Sequence, residues 1–337
     1  MKNIVILVDT VGGDRGPAEV IKGCLDASKI VSYVDIVLLG PEELIKSELE
    51  KSGWPSNIKI EHASEVINMN EEPVWAVRNK SQSTIVVGSR LVKEGKAQAL
   101  VTPGNTGAVM AAALLIMGRI KGISRPAILA RFPIKERATY LLDAGANAEC
   151  KPENLLDFAI MANSYLSSVL KIENPSIGLL SLGEEKTKGN DLVKEAYQLL
   201  DKSSLNFYGN VEGHDIPRGT VDIIVCDGYT GNIVLKLSES LVKAVFAELK
   251  TIVNSSFMGK IGGLLLKPGL RKMIKRLDYE EYGGTLLLGV NGVCVICHGS
   301  SSAKAITNAI LQAVNAVKDN VVSKIKEDLK GKAFINV

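Results

Sequence analysis

Asn3-Ile-Val-Ile-Leu-Val-Asp9, running straight into Thr-Val-Gly-Gly-Asp-Arg-Gly-Pro17, is the stretch from which the rest of the chain can be read. An apolar run this short, with no polar alternation, fits a strand buried on both faces. The turn after it is rich in glycine, and Pro17 stands where a helix start accepts proline, which predicts a helix over 17–28. Buried strand, tight polar turn and helix together form the unit from which parallel α/β sheets are built.

The unit recurs. Apolar runs also end in Thr102-Pro-Gly-Asn-Thr-Gly107, in the polar turn over 181–190, in Asp227-Gly-Tyr-Thr-Gly-Asn232 and in His298-Gly-Ser-Ser-Ser302. Backbone N–H groups bared by such turns, with the positive end of a following helix, attract phosphate or a developing oxyanion. In a parallel sheet the turns gather at the carboxyl ends of the strands, so all five are expected on one rim. The other expected strands are 35–40, 58–63, 97–101, 176–181, 221–226, the apolar run 293–296, and a pair, 126–133 and 139–143, joined by the turn Lys135-Glu136-Arg137. Expected helices are 41–51, 83–94, a wholly buried 108–117, 154–170, 191–200, 234–253 and one long helix over 302–330, while 71–80 reads as a polar loop. The result is an α/β protein, a mostly parallel sheet with helices on both faces, in a single catalytic domain over 1–337.

Bulk properties exclude several classes. Hydrophobic residues make up 46% and charged residues 23%, which rules out extended disorder. A formal charge of +3 is too small for a general nucleic-acid binder, and an aromatic content of 5% leaves little for base stacking. Five scattered cysteines and an opening unlike a signal peptide predict a reduced, cytoplasmic protein. The most apolar stretch, 108–118, falls short of the roughly 20 residues that cross a bilayer.

One segment breaks the alternation. Over 255–281 an apolar arm, Phe257-Met-Gly-Lys-Ile-Gly-Gly-Leu-Leu-Leu266, meets the turn Lys267-Pro268-Gly269 and then Leu270-Arg-Lys-Met-Ile-Lys-Arg-Leu277. Helical spacing puts Leu270, Met273, Ile274 and Leu277 on one face and Arg271, Lys272, Lys275 and Arg276 on the other. With Lys260 and Lys267 these make six basic residues and no acidic one between Gly259 and Leu277, a protruding basic helical hairpin suited to an anionic membrane surface or an acidic protein partner.

From Thr102-Pro-Gly-Asn-Thr-Gly-Ala-Val-Met-Ala111 outward, the chain resembles the phosphate acyltransferases of bacterial phospholipid synthesis, the PlsX family. The resemblance runs nearly end to end and takes in Gly12-Gly-Asp-Arg-Gly-Pro17, Leu142-Asp-Ala-Gly-Ala-Asn147, 181–190, Gly209-Asn-Val-Glu-Gly213, Cys226-Asp-Gly-Tyr-Thr-Gly-Asn232 and His298-Gly-Ser-Ser301. It departs from the family where Asp9-Thr-Val-Gly-Gly-Asp14 replaces the usual Asp-Ala-Met-Gly-Gly-Asp, and in the cysteines of the strand before His298. The resemblance implies transfer of a long acyl chain from acyl carrier protein to inorganic phosphate, a homodimer, a fold akin to phosphotransacetylases and isocitrate dehydrogenases, and use of the basic hairpin at the membrane.

Attack of phosphate on a thioester needs the dianion held at the carbonyl and donors aimed at the oxyanion. Lys186 and Lys188 offer positive charge, and Asn232, with the backbone of Gly228 and Gly231 after Asp227, offers uncharged donors. Lys186 and Asn232 are therefore the expected catalytic pair. Gly12, Gly13, Asp14, Gly104, Asn105, Thr106, His298 and Ser300 complete the expected substrate-binding set, with helix capping the alternative role for any one such turn. His298 is either a general acid for the leaving thiol or a packed histidine with one structural hydrogen bond. Asp9, Asp14 and Asp227 are far apart in sequence, and a strand-end carboxylate often caps its own turn, so neither metal nor cofactor is expected.

Cys294-Val-Ile-Cys297-His298 matches the C-x-x-C-H pattern of covalent haem attachment, but it continues an apolar strand and no axial methionine motif accompanies it. Three other readings remain beside the long-chain acyltransferase. A phosphotransacetylase acting on short acyl-CoA would use the same cradles, and a membrane-surface scaffold for the carrier protein would need fewer of them. A nicotinamide dehydrogenase fails on spacing, because the first turn is Gly12-Gly-Asp-Arg-Gly16 rather than G-x-G-x-x-G.

Overall fold

The computed structural model describes residues 4–134 and 138–332. Its strands are β1 (Ile4–Asp9), β2 (Val34–Gly40), β3 (Ile58–His62), β4 (Ala99–Thr102), β5 (Ala127–Pro133), β6 (Ala138–Leu142), β7 (Ile177–Leu180), β8 (Phe207–Val211), β9 (Ile223–Val225), β10 (Thr285–Leu288) and β11 (Val293–Ile296). The helices are α1 (Pro17–Ile30), α2 (Glu42–Ser52), α3 (Pro73–Asn79), α4 (Thr84–Lys93), α5 (Thr106–Ala112), α6 (Pro152–Ser168), α7 (Asp191–Asp201), α8 (Asp215–Arg218), α9 (Gly228–Asn254), α10 (Phe257–Leu277), α11 (Ala303–Lys318) and α12 (Val321–Lys332). The expected turn at 135–137 lies outside the described residues.

All eleven strands join one sheet in the order β3-β2-β1-β4-β11-β10-β5-β6-β9-β7-β8. Pairing is parallel from β3 through to β11 and again from β6 through to β8. Between these blocks β10 runs antiparallel to both β11 and β5, and β5 antiparallel to β6. Three reversals leave the second block running opposite to the first. The single rim expected from a wholly parallel sheet is therefore corrected to two: turns after β1, β4 and β11 lie at one edge, and those after β6, β7 and β9 at the other.

Strands buried on both faces explain the apolar runs. One large cluster joins Ile6, Val8, Ile36 and Val101 to α1, α6 and α11, and a second joins Leu7, Leu39 and Leu100 to α4 and α5 on the opposite face. Successive residues of β1 thus point into different layers, the period of two that a sheet imposes.

Several boundaries differ from the sequence expectation for local reasons. Residues 73–79 form a helix rather than a loop, since Glu72 accepts from the Val74 and Trp75 amides and Pro73 occupies the first turn. The helix after Thr102 is not wholly buried, and it ends in a π-helical turn, Ala113–Met117, where Leu114 and Leu115 face solvent. The long carboxyl-terminal helix breaks between α11 and α12 at Asn320, whose φ of 52° is a left-handed conformation that asparagine tolerates.

The basic hairpin is built differently as well. Ser256 caps α10 by accepting from the Gly259 amide at 2.9 Å, so the chain turns at Ser255-Ser256 and α10 packs back along α9. Pro268 lies inside α10 instead of turning it. A proline there removes one rung, but the segment is open to water, which hydrates the freed carbonyl of Leu264 and lessens the cost. No residue of α10 is buried, and in α9 only Gly228 and Gly231 are. Lys260, Lys267, Arg271, Lys272 and Lys275 are exposed, whereas Arg276 is half-buried with its Nε shielded.

Candidate functional site

The first group of turns is organised by a buried carboxylate. Asp9 Oδ1 accepts from the amides of Val11 at 3.1 Å and Gly12 at 3.0 Å, and Oδ2 from the Thr102 hydroxyl at 2.7 Å. Thr102 in turn accepts from the Gly104 amide at 3.0 Å, tying the turn after β1 to the turn after β4. Burial pushes the Asp9 carboxyl above its ordinary range, against the hydrogen bonds from Thr102, Thr84, Val11 and Gly12. The turn after β11 joins them: the Asp14 amide donates to the Gly299 carbonyl at 2.7 Å, and a Cβ on Gly299 would lie 2.5 Å from Asp14 Oδ2.

Within this group the expected residues divide by what their atoms already do. Asn105 caps α5, accepting from the Ala108 amide at 3.0 Å, while its amide donates to the carbonyls of Asn68 at 3.1 Å and Met69 at 3.0 Å. It is a cap and a loop anchor. Thr106 is exposed at the first turn of α5. His298 is exposed, and its Nδ1 lies 3.2 Å from the Ser300 amide and 2.8 Å from the Ser300 hydroxyl, which ties the ring to its own turn. Gly12, Gly13, Asp14, Gly104 and Ser300 all lie in the three joined turns.

The second group repeats the design around Asp143, a residue the sequence reading did not single out. Its Oδ1 accepts from Ile128, Gly145 and Ala146 amides at 3.0, 3.1 and 2.9 Å, and Oδ2 from the Asn147 amide and side chain, each at 2.8 Å. Burial again raises the carboxyl above its ordinary range. The signal was present in sequence, because Asp143 ends an apolar strand and precedes Ala-Gly-Ala-Asn147 much as Asp9 precedes its glycine turn.

The start of α9 packs onto this loop. The Gly228 amide donates to the Asn147 carbonyl at 2.8 Å and the Gly231 amide to the Asp227 carbonyl at 3.0 Å, so neither is the free anion donor that was expected. These glycines serve close packing instead, while Asp227 caps α9 through the Thr230 amide at 2.9 Å. Asn232 remains exposed, its side chain beside Gly145. Lys186 and Lys188 are exposed on the turn after β7, next to β9 in the sheet. Lys186 Nζ stands 3.8 Å from Asp201 and 5.3 Å from the Tyr197 ring centroid, both on α7.

The two groups meet through one apolar layer. Ala108, Val109, Ala111 and Ala112 of α5 share a cluster with Ala144, and Ala146 and Leu235 pack against it. The cysteines of the haem-like motif are buried within β11 and just after it; burial pushes the Cys294 thiol up to about 12 and the Cys297 thiol higher still.

Comparison with known proteins places this arrangement. The sequence profile of the family described as "Fatty acid synthesis protein" matches residues 4–324. The phosphate acyltransferase of Clostridium tetani is 50% identical over 325 residues, 96% of this chain and 97% of the relative. That of Heliobacterium modesticaldum is 50% identical over 329 residues, covering 97% and 98%. This chain belongs to the phosphate acyltransferase family. Among solved structures, a phosphotransacetylase from Streptococcus pyogenes superposes with a TM-score of 0.64 at 20% identity, covering 94% of this chain and 95% of that one. A branched-chain phosphotransacylase from Enterococcus faecalis gives 0.55 at 14% identity, covering 93% and 100%. The phosphate acyltransferase fold is thus an α/β fold shared with phosphotransacetylases, and among the described residues no helix is long and apolar enough to cross a membrane.

Proposed function

We propose that this protein transfers a long-chain acyl group from acyl carrier protein to inorganic phosphate, releasing acyl phosphate and free carrier for phospholipid synthesis. An oxygen of monohydrogen phosphate attacks the thioester carbonyl, the carbon–oxygen bond forms as the carbon–sulfur bond breaks, and the departing sulfur takes up the proton that the phosphate carried. Lys186 and Lys188 supply charge for phosphate, and Asn232 orients phosphate or the carbonyl oxygen. Holding both reactants in place is the main catalytic contribution, since effective molarities reach ~10⁵ M or more when geometry is right.

The observation carrying the long-chain reading over short acyl-CoA is the helix pair leaving the Asn232 turn. Along α9, Ile233, Leu237, Leu241 and Val245 stay exposed at a spacing of one helical turn, and α10 adds five exposed cations beside Leu264, Leu265 and Leu266. Such surface suits a donor delivered by an acidic carrier at an anionic bilayer. Peripheral membrane association, a cytoplasmic location and a homodimer belong to the same proposal. Purified protein given palmitoyl carrier protein and phosphate should yield acyl phosphate, trapped as hydroxamate. Turnover of acetyl-CoA in preference would establish the phosphotransacetylase reading, and turnover of neither the scaffold.

A further inference from the structure

The turns after β7 and β8 carry a further set of polar side chains, outside the groups around Asp9 and Asp143. β7 and β8 are parallel neighbours, so their turns leave the same edge of the sheet side by side. Glu184 from the first turn and His214 and Asp215 from the second each bring one ligand-type atom within 4.8 Å of the other two. His214 Nε2 stands 3.7 Å from Asp215 Oδ1. That is long for a hydrogen bond, but two ligands each about 2.1 Å from one ion are separated by roughly 3.4–4.2 Å at angles from tetrahedral to trans. The other ring nitrogen, Nδ1, lies 3.2 Å from Glu212 Oε2. A carboxylate there favours the proton on Nδ1 and leaves the Nε2 lone pair for a metal, the usual setting of a metal-bound imidazole. Asp215 is buried and fixed: Oδ2 accepts from the Glu212 amide at 2.9 Å and Oδ1 from the Thr220 hydroxyl at 2.7 Å, which leaves each oxygen a further lone pair.

An independent sign comes from β8 itself. Asn210 is 2% exposed, and its Nδ2 donates to the Glu185 carbonyl at 2.9 Å, so its side chain reaches into the turn that carries Glu184. A carbonyl can only accept, which fixes the orientation of the amide and leaves Asn210 Oδ1 buried with no hydrogen-bond partner among the described residues. Water held on a cation is a donor that would satisfy it. We propose that Glu184, Nε2 of His214 and Asp215 bind Zn²⁺, with one coordination position left to water. Imidazole with two carboxylates suits Zn²⁺ better than Mg²⁺ or Ca²⁺, which take oxygen ligands. The set includes none of Asp9, Asp14 and Asp227, and the parallel pairing of β7 with β8 is what brings it together. Lys186 and Lys188 follow Glu184 in the same turn, so the ion fixes the segment that presents both lysines. The competing state is a protonated His214 ion-paired with Glu212 and Asp215, which needs no metal.

Calorimetric titration of the full-length protein, stripped with EDTA and kept reduced by a phosphine, should show one Zn²⁺ per chain. Co²⁺ in its place should give visible bands without thiolate charge transfer, which separates this site from the five cysteines. Glu184→Gln and His214→Ala, both at exposed positions, should each weaken binding about 100-fold or more. Glu212→Gln should weaken it about 10–100-fold through the imidazole, and Glu185→Gln less than about 2-fold. Trypsin cleavage after Lys186 and Lys188 should slow when Zn²⁺ is added to wild type, and that protection should be lost in Glu184→Gln. Absence of stoichiometric binding, or binding that survives both ligand variants, overturns the assignment, as does cleavage that Zn²⁺ leaves unchanged in wild type. These readouts do not pass through acyl transfer, so a failure to form acyl phosphate would sink the proposed reaction and leave the metal site standing.

Discussion

Gly231 lies so close beneath Asp143 that a Cβ at position 231 would stand 1.9 Å from the Asp143 carbonyl oxygen. The contact fixes where α9 begins, and with it Asn232 one residue later. At the other edge of the sheet, a Cβ on Gly12 would stand 2.3 Å from Asp9 Oδ2, which the Thr102 hydroxyl holds in place, and 2.8 Å from the backbone Cα of Gly104. Gly231→Ala and Gly12→Ala are therefore each expected to cost about 3 kcal/mol, and Gly213→Ala, with nothing within 4 Å, no more than about 0.5. Urea denaturation of the three variants checks the contrast, and a Gly213→Ala loss equal to the other two would contradict it.

The two buried carboxylates give stability a pH dependence of definite sign. Asp9 and Asp143 both have folded-state values raised above the ordinary carboxylate range, chiefly by burial. Above the unfolded value the folded protein retains protons that the unfolded chain releases, so their contribution is complete in acid and is lost as pH rises through the raised values. Asp9→Asn and Asp143→Asn remove that slope. The difference in unfolding free energy between wild type and each variant should favour wild type most at low pH and shrink as pH rises; a difference that grows with pH would show that hydrogen bonding to the carboxylate outweighs its burial.

Lys186 is a surface residue in terms of stability, paired at 3.8 Å with an exposed Asp201. Exposed pairs of this kind contribute roughly 0–1 kcal/mol. Lys186→Ala should leave Tm within about 1–2 °C of wild type while raising KM for phosphate about 10-fold, the loss expected when one charge-assisted contact to a dianion is removed. Initial rates at varied phosphate decide the matter, and unchanged phosphate kinetics would remove Lys186 from the site.

Much of this architecture was legible because strands buried on both faces write themselves as apolar runs, and the turns after them as glycine, aspartate and asparagine. What escaped was local at β8 and β10, neither of which is among the expected strands, and otherwise long-range. Nothing in Thr285-Leu-Leu-Leu288 says that it will run antiparallel to both neighbours, and that reversal, with the one at β6, is what separates the Asp9 turns from the Asp143 turns. Gly228 and Gly231 read as anion donors because their residue type is the same for a phosphate cradle and for close packing; only the position of the 143–147 loop distinguishes the two. Pro268 read as a turn because proline breaks helices on average, but its cost falls where water reaches the freed carbonyl. Asp143 was the converse case, a residue whose local pattern matched Asp9 and went unused.

The orientation of α10 sharpens what a membrane test should find. Lys272 and Lys275 are exposed three residues apart, whereas Arg276 is half-buried, with Tyr282 donating its hydroxyl to the Arg276 carbonyl at 2.6 Å. Each lysine near an anionic leaflet contributes about 1 kcal/mol. Lys272→Gln with Lys275→Gln is thus expected to weaken binding to phosphatidylglycerol vesicles about 30-fold, and Arg276→Gln less than about 2-fold. Raising ionic strength should weaken wild type further, since exposed charges are screened within about 10 Å at 0.1 M salt. Vesicle flotation at several salt concentrations measures all of these, with neutral phosphatidylcholine vesicles as the reference. An Arg276 variant as weak as the lysine pair would mean that α10 turns its other face to the bilayer, and equal binding to neutral vesicles would leave the exposed leucines, rather than the cations, as the contact.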